Sequence, residues 1–115
     1  MPEFGTRIDW PLEQNFWQGE FEGREFGSGV SVIFNNWPHA GGGAALHSHP
    51  YPETFILRAG TVIFQIAGRE VVARRGQILV VPPHTPHSFT NAGPDPIDMI
   101  DIHASSTFQT QWLTG

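Results

Sequence analysis

Cysteine is absent from the 115 residues. Disulfides, thiolate nucleophiles and zinc–thiolate sites are excluded together. Lysine is absent too, so the 6 basic residues are all arginine, against 11 acids and a formal net charge of −5. A nucleic-acid binder needs a basic stripe to meet phosphates, yet only Arg74 and Arg75 are adjacent. Nucleic acid and anionic membrane surfaces are therefore poor partners. No apolar run approaches the ~18 residues of a membrane span. A basic stretch followed by an apolar one is also missing from the N-terminus, so no secretory leader is visible and a cytoplasmic address is the default. Charged residues make up only 15% of the chain. Much of the surface must then be neutral, aromatic or engaged with a partner.

What the chain has in plenty is 13 Gly and 10 Pro. Turn formers at that density disfavour long helices. The length suits one domain over residues 1–115, with a hydrophobic fraction of 39% for its core. Residues 1–29 carry Phe4, Trp10, Phe16, Trp17, Phe21 and Phe26 without a clean period. This aromatic extension is expected to pack on the barrel wall or on a subunit partner.

From Val30 onward short extended runs alternate with turns. Val30, Val32 and Phe34 alternate with Ser31 and Ile33 in a strand ending near Asn35-Asn36. Further strands are expected at Ala44–His49, Glu53–Leu57 and Thr61–Ile66, then through an Ala67-Gly68 hairpin turn to Glu70–Ala73. Gln77–Val81 looks like a buried strand, followed by His87–Asn91 and Ile97–His103. Met99 and Ile100 are adjacent apolar residues, which suggests a bulge there. Phe108–Leu113 fits a helical turn or a closing strand. With no strand–helix alternation, the pattern describes an all-β, antiparallel sandwich or barrel.

Chemistry concentrates in histidine. His47 and His49, two apart on a strand, leave the same face. Glu53 follows a Pro-rich corner that can swing its carboxylate back, and antiparallel closure can bring His87 opposite. Three imidazoles and a carboxylate suit Mn, Fe, Co, Ni, Cu or Zn and leave coordination positions open. A solvated polar strand face also fits the His47/His49 pair. His39 and His84 read as surface residues. His103 shares a face with Asp101, and if that face is inward it is a candidate for catalysis. By parity from Glu53 and His87, the inward set also holds Phe55, Leu57 and Phe89 as pocket candidates, with Thr54, Ile56, Arg58, Ser88 and Thr90 outside. No Gly-x-Ser-x-Gly elbow supports serine hydrolase chemistry.

At these residues the chain resembles the cupin superfamily. Gly41, His47, His49, Glu53 and Gly60 match every position of the first cupin motif. Gly76, Pro82, His87 and Asn91 match the second, in which only the internal Gly is replaced, by His84. His tolerates positive φ better than most residues. The resemblance implies an antiparallel jelly-roll β-barrel holding one divalent transition metal on His47, His49, Glu53 and His87. It also implies an enzyme acting on a small oxygenated molecule, dioxygenase-like or of the isomerase/lyase type. The alternative is a non-catalytic, metal-assisted binding or sensor module. Small relatives of this type are commonly homodimers, and that assembly is expected here.

Overall fold

The computed structural model describes residues 17–113. Its strands are β1 (Gly19–Phe21), β2 (Ser31–Trp37), β3 (Gly43–Ser48), β4 (Glu53–Ala59), β5 (Thr61–Ile66), β6 (Arg69–Arg74), β7 (Ile78–Val81), β8 (His87–Asn91), β9 (Ile97–His103) and β10 (Gln111–Trp112). One 3-10 turn, Gly23–Phe26, is the only helical element among the described residues. All strand pairs are antiparallel, in two five-stranded sheets ordered β1-β2-β9-β4-β7 and β10-β3-β8-β5-β6. This is the all-β jelly roll expected from the sequence. Among the described residues no ladder joins the sheets, so the barrel is two facing sheets and not a closed ring.

The core between the sheets is made by Phe55, Leu57, Val62, Phe64, Val81, Phe89, Ile97 and Met99, all buried. It gathers toward one end of the sandwich, where Phe55 meets Phe64 edge-on at a centroid distance of 4.9 Å. At the other end the inward positions are polar. Parity explains both ends, because in β4 Glu53, Phe55 and Leu57 are buried while Thr54 and Ile56 are half-buried and Arg58 is exposed. In β8 His87, Phe89 and Asn91 are buried on the same rule.

Several sequence expectations are corrected. β9 alternates without interruption, burying Ile97, Met99, Asp101 and His103. The irregularity lies on its partner, where the register shifts between Leu57 and Ala59. β2 runs through Asn35-Asn36 to Trp37, and its buried residues are the polar Ser31 and Asn35. Ser31 stays inside because its hydroxyl accepts from Gly23 N–H at 3.1 Å and donates to the Ser105 carbonyl at 2.8 Å. β7 is an edge strand, not a buried one, with Ile78 66% and Val80 56% exposed. The tail forms the closing strand, Gln111 opposite Ser48 and Trp112 opposite His47.

Two backbone positions hold the motif turns. Gly60 has φ +84°, and a Cβ there would meet Pro96 O at 2.6 Å, so no side chain fits. His84 takes φ 58° where the family pattern has glycine, so the turn survives the replacement. In the N-terminal extension, Trp17 stands edge-on to Phe34 at 5.0 Å and Phe21 stacks on Phe26 at 5.2 Å. The expected packing of Phe4, Trp10 and Phe16 lies outside the described residues.

Candidate functional site

The polar end of the sandwich is built by three strands and a bulge. β3 and β8 pair Ala44 with Phe89 but His47 with His87, so β3 has one extra residue between those pairs. That bulge turns His47 inward, directly across from His87. His49 follows just beyond β3, and Glu53 opens β4 opposite His103. His47, His49, Glu53, His87 and His103 are all buried. His47, His49, Glu53 and His87 each bring a donor atom within 4.8 Å of the others.

Backbone carbonyls fix the three motif rings. Nδ1 lies 2.6 Å from Ala45 O in His47, 2.9 Å from Gln109 O in His49 and 2.8 Å from Thr85 O in His87. A carbonyl oxygen only accepts, so each Nδ1 carries a proton, and in the neutral ring each Nε2 keeps its lone pair. Two of these Nε2 atoms then face an anionic acceptor, since Glu53 Oε1 is 3.1 Å from His49 Nε2 and 3.0 Å from His87 Nε2. Lone pairs against a carboxylate repel unless a proton or a cation stands between them. His49 Nε2 and His103 Nε2 are buried, each about 3 Å from a Glu53 oxygen but without hydrogen-bond geometry to it, and buried Asp101 Oδ1 has no hydrogen-bond partner. Such orphans call for an explanation, and an ion is one. Donors bonded at about 2.1 Å to one octahedral ion lie about 3.0 Å apart along an edge. The Glu53–His49 and Glu53–His87 spacings match that edge, so the residues present fit a divalent transition metal.

The protonation balance divides among these residues. Burial opposes charge on Glu53, but His103, His49 and His87 outweigh it and hold the carboxyl well below the usual carboxylate range. Burial would lower the His49 pKa, yet Glu53 and the Gln109 carbonyl raise it. His47 is lowered, first by burial, against the Ala45 carbonyl and with help from His87 and His49. A neutral His47 is the form a metal requires.

Residues outside the motifs complete the site. Tyr51 Oη lies 2.6 Å from His103 Nδ1 and accepts from Gln109 N–H at 3.2 Å. The hydroxyl proton is free to point at Nδ1, and His103 Nε2 sits 3.0 Å from Glu53 Oε2. Asp101 Oδ2 accepts from Asn35 Nδ2 at 2.6 Å, and Asn35 Oδ1 accepts from Trp37 Nε1 at 3.1 Å. Burial first, and then the Glu53 charge, push the Asp101 carboxyl well up, which keeps it protonated. A cavity of about 190 Å³ opens above these groups, walled by Ile33, Trp37, Phe89, Phe108 and Trp112, with Glu20 also on its lining. Among the described residues no arginine lines it.

The pocket candidates divide. Phe89 and His103 line the cavity, whereas Phe55 and Leu57 pack deeper, in the core beneath it. His39 and His84 are exposed. Asp101 was legible as a face-mate of His103, but Tyr51, Asn35 and Trp112 gave no sequence signal. Trp112 belongs to a two-residue strand whose place depends on pairing with β3.

No curated protein sequence matches the chain. Among solved structures, a cupin protein from Bacteroides fragilis superposes with a TM-score of 0.75 at 19% identity, covering 90% of this chain and 86% of its own. A double-stranded β-helix protein from Klebsiella pneumoniae gives 0.66 at 23% identity, covering 75% and 76%. Oxalate oxidase in complex with glycolate gives 0.72 at 22% identity, covering 83% of this chain but 53% of that one, so the chain spans about half its length. These likenesses show the fold. The Cupin domain model matches residues 28–103, a span that contains His47, His49, Glu53, His87 and both sheets' central strands, and the chain therefore belongs to the cupin family.

Proposed function

We propose that this protein is a metal-dependent cupin in which His47, His49, Glu53 and His87 hold one divalent transition ion, and that it acts on a small oxygenated molecule. The observation that carries the reading is the convergence of carbonyl-locked Nε2 lone pairs on Glu53 Oε1. When bound, a divalent ion with three neutral imidazoles and one carboxylate keeps a net +1 charge, which suits polarising a carbonyl, stabilising an enolate or binding dioxygen.

The chain's own residues supply the rest. The Ala45, Gln109 and Thr85 carbonyls set the ring orientations and so preorganise the ligands. Trp37, Phe89 and Phe108 exclude water and hold the body of the ligand. Glu53 is engaged as a ligand, so His103, backed by Tyr51, is the candidate to move a proton at Nε2. The reaction class that follows is dioxygenase-like or isomerase/lyase chemistry. Oxalate oxidase, one of the similar structures, has been captured with glycolate. Here the aromatic walls, with Glu20 and no arginine among the described lining residues, favour a ligand with an apolar or aromatic body over a compact dianion.

Purification without added metal, metal analysis, and a turnover screen of chelating small molecules with aromatic and aliphatic bodies test this reading. Turnover should vanish with a chelator and return with one particular ion. A ligand that binds but is never converted would identify a metal-assisted binding module instead, and a chain that takes up no ion would remove the proposal.

A further inference from the structure

Among the described residues, every buried side-chain nitrogen or oxygen without a hydrogen-bond partner sits at the polar end of the sandwich. These atoms are His49 Nε2, Asp101 Oδ1 and His103 Nε2. His49 belongs to the motif set, but Asp101 and His103 do not. Buried polar atoms are nearly always partnered, so two further orphans on one strand need a cause of their own. Asp101 and His103 are alternate residues of β9, each 2% exposed. Glu53 stands opposite His103 in the β4–β9 ladder. One donor atom from each of Glu53, Asp101 and His103 lies within 4.8 Å of the other two, and this cluster shares only Glu53 with the motif set.

Glu53 meets the two clusters with different oxygens. Its Oε1 faces His49 and His87 at 3.1 and 3.0 Å, whereas Oε2 faces His103 at 3.0 Å. The geometry points to a second cation site, in which Glu53 bridges two ions: Oε1 serves the motif site, and Oε2 serves an ion completed by His103 Nε2 and Asp101 Oδ1. Glu53 must then be a ligand of the first ion, so the inference rests on the proposed function. The Oε2–Nε2 spacing again matches the ~3.0 Å edge between donors bonded at ~2.1 Å to one octahedral ion. Both new ligands have the outer partner that holds a metal ligand in place. Asn35 Nδ2 donates to Asp101 Oδ2 at 2.6 Å, which leaves Oδ1 for the ion. His103 Nδ1 lies 2.6 Å from Tyr51 Oη, and with its proton there the ring offers the Nε2 lone pair. All three residues line the cavity, so water can fill the remaining coordination positions. Ions sharing a site in this way stand about 3.5–4 Å apart. Repulsion at that distance, and three protein donors against four, make the second site the weaker one. Filling it displaces the Asp101 proton and occupies the nitrogen at which His103 would move a proton. Excess metal therefore opposes the chemistry of the first ion.

Equilibrium dialysis of the full chain against Mn²⁺, read by metal analysis and electron paramagnetic resonance, tests it. The wild type should take up one ion per chain and then, at higher concentration, a second. The first ion should give the spectrum of isolated Mn²⁺, and the second should broaden it through coupling of two spins about 3.5–4 Å apart. Asp101→Asn keeps the acceptor for Asn35 Nδ2, so it should fold with unchanged circular dichroism yet stop at one uncoupled ion. His103→Gln, which removes the other new ligand, should stop there too. A second ion that is uncoupled from the first, or that both variants retain, lies elsewhere and overturns the inference. A wild type that saturates at one ion, lost in His49→Ala, also overturns it while the proposed function stands. A chain that binds no ion removes both.

Discussion

Replacing Glu53 with Gln removes the one anionic donor while keeping its shape. In the structure Oε1 lies 3.0–3.1 Å from two imidazole nitrogens, and Oε2 lies 3.0 Å from His103 Nε2. Losing that charge leaves a divalent ion at +2 among neutral donors in a buried site. Breaking a buried charge pair costs about 3–5 kcal/mol, so metal affinity should fall by roughly 10³-fold. The assay is thermal denaturation with and without metal. At an ion concentration about 1,000 times the wild-type Kd, binding adds ~4.1 kcal/mol, and for a domain of this size each kcal/mol raises Tm by about 4–8 °C. The wild type should therefore gain roughly 16–32 °C. At the same ion concentration Glu53→Gln is left near its own Kd, where the gain is ~0.4 kcal/mol or about 2–3 °C. A variant that keeps the full wild-type shift would show that Glu53 is not a ligand.

Stability should depend on pH in opposite ways with and without metal. Without it, the raised His49 contributes stability that is full below its unfolded value of 6.5 and fades as pH climbs through the higher folded value. The lowered Glu53 contributes stability that is full above 4.5 and fades as pH falls through the lower folded value. The His49 and Glu53 contributions are thus fullest together between these limits, against a lowered His47 and a raised Asp101 that act in the opposite sense, and the metal-induced gain should grow above them as His49 sheds its proton. A metal-induced gain that shrinks with rising pH would contradict this. Asp101→Asn should cost under about 1 kcal/mol, since a neutral carboxyl is replaced by a neutral amide that can still accept from Asn35 Nδ2. Asp101→Ala should cost about 2–4 kcal/mol by orphaning that amide and leaving a cavity, and equal costs for the two variants would mean that the carboxyl is charged.

The site was legible where chemistry is written into spacing. His47, His49, Glu53 and His87 stand at the motif intervals, and parity from Glu53 and His87 correctly turned Phe55, Leu57 and Phe89 inward. Parity alone did not separate pocket from core, because depth along a strand depends on how closely the facing sheet approaches. Phe55 meets Phe64 there, while Phe89 reaches the cavity. β2 shows the harder limit. Its alternation of Val32 and Phe34 with Ser31 and Ile33 does not say which face is inward, because the partners that bury Ser31 and Asn35 lie more than 60 residues away in Ser105 and Asp101. The exposure of β7 is a matter of sheet order, which composition does not encode. Tyr51 became meaningful only when β9 delivered His103 to its hydroxyl.

The most direct measurement is X-ray absorption at the metal edge of the loaded protein. Imidazole scattering from three histidines with one carboxylate oxygen, at about 2.0–2.2 Å, is the predicted first shell. Replacement of His49 should remove one imidazole from that shell or empty it. A spectrum with fewer histidines that is unchanged by replacing His49 would place the ion elsewhere and contradict the account.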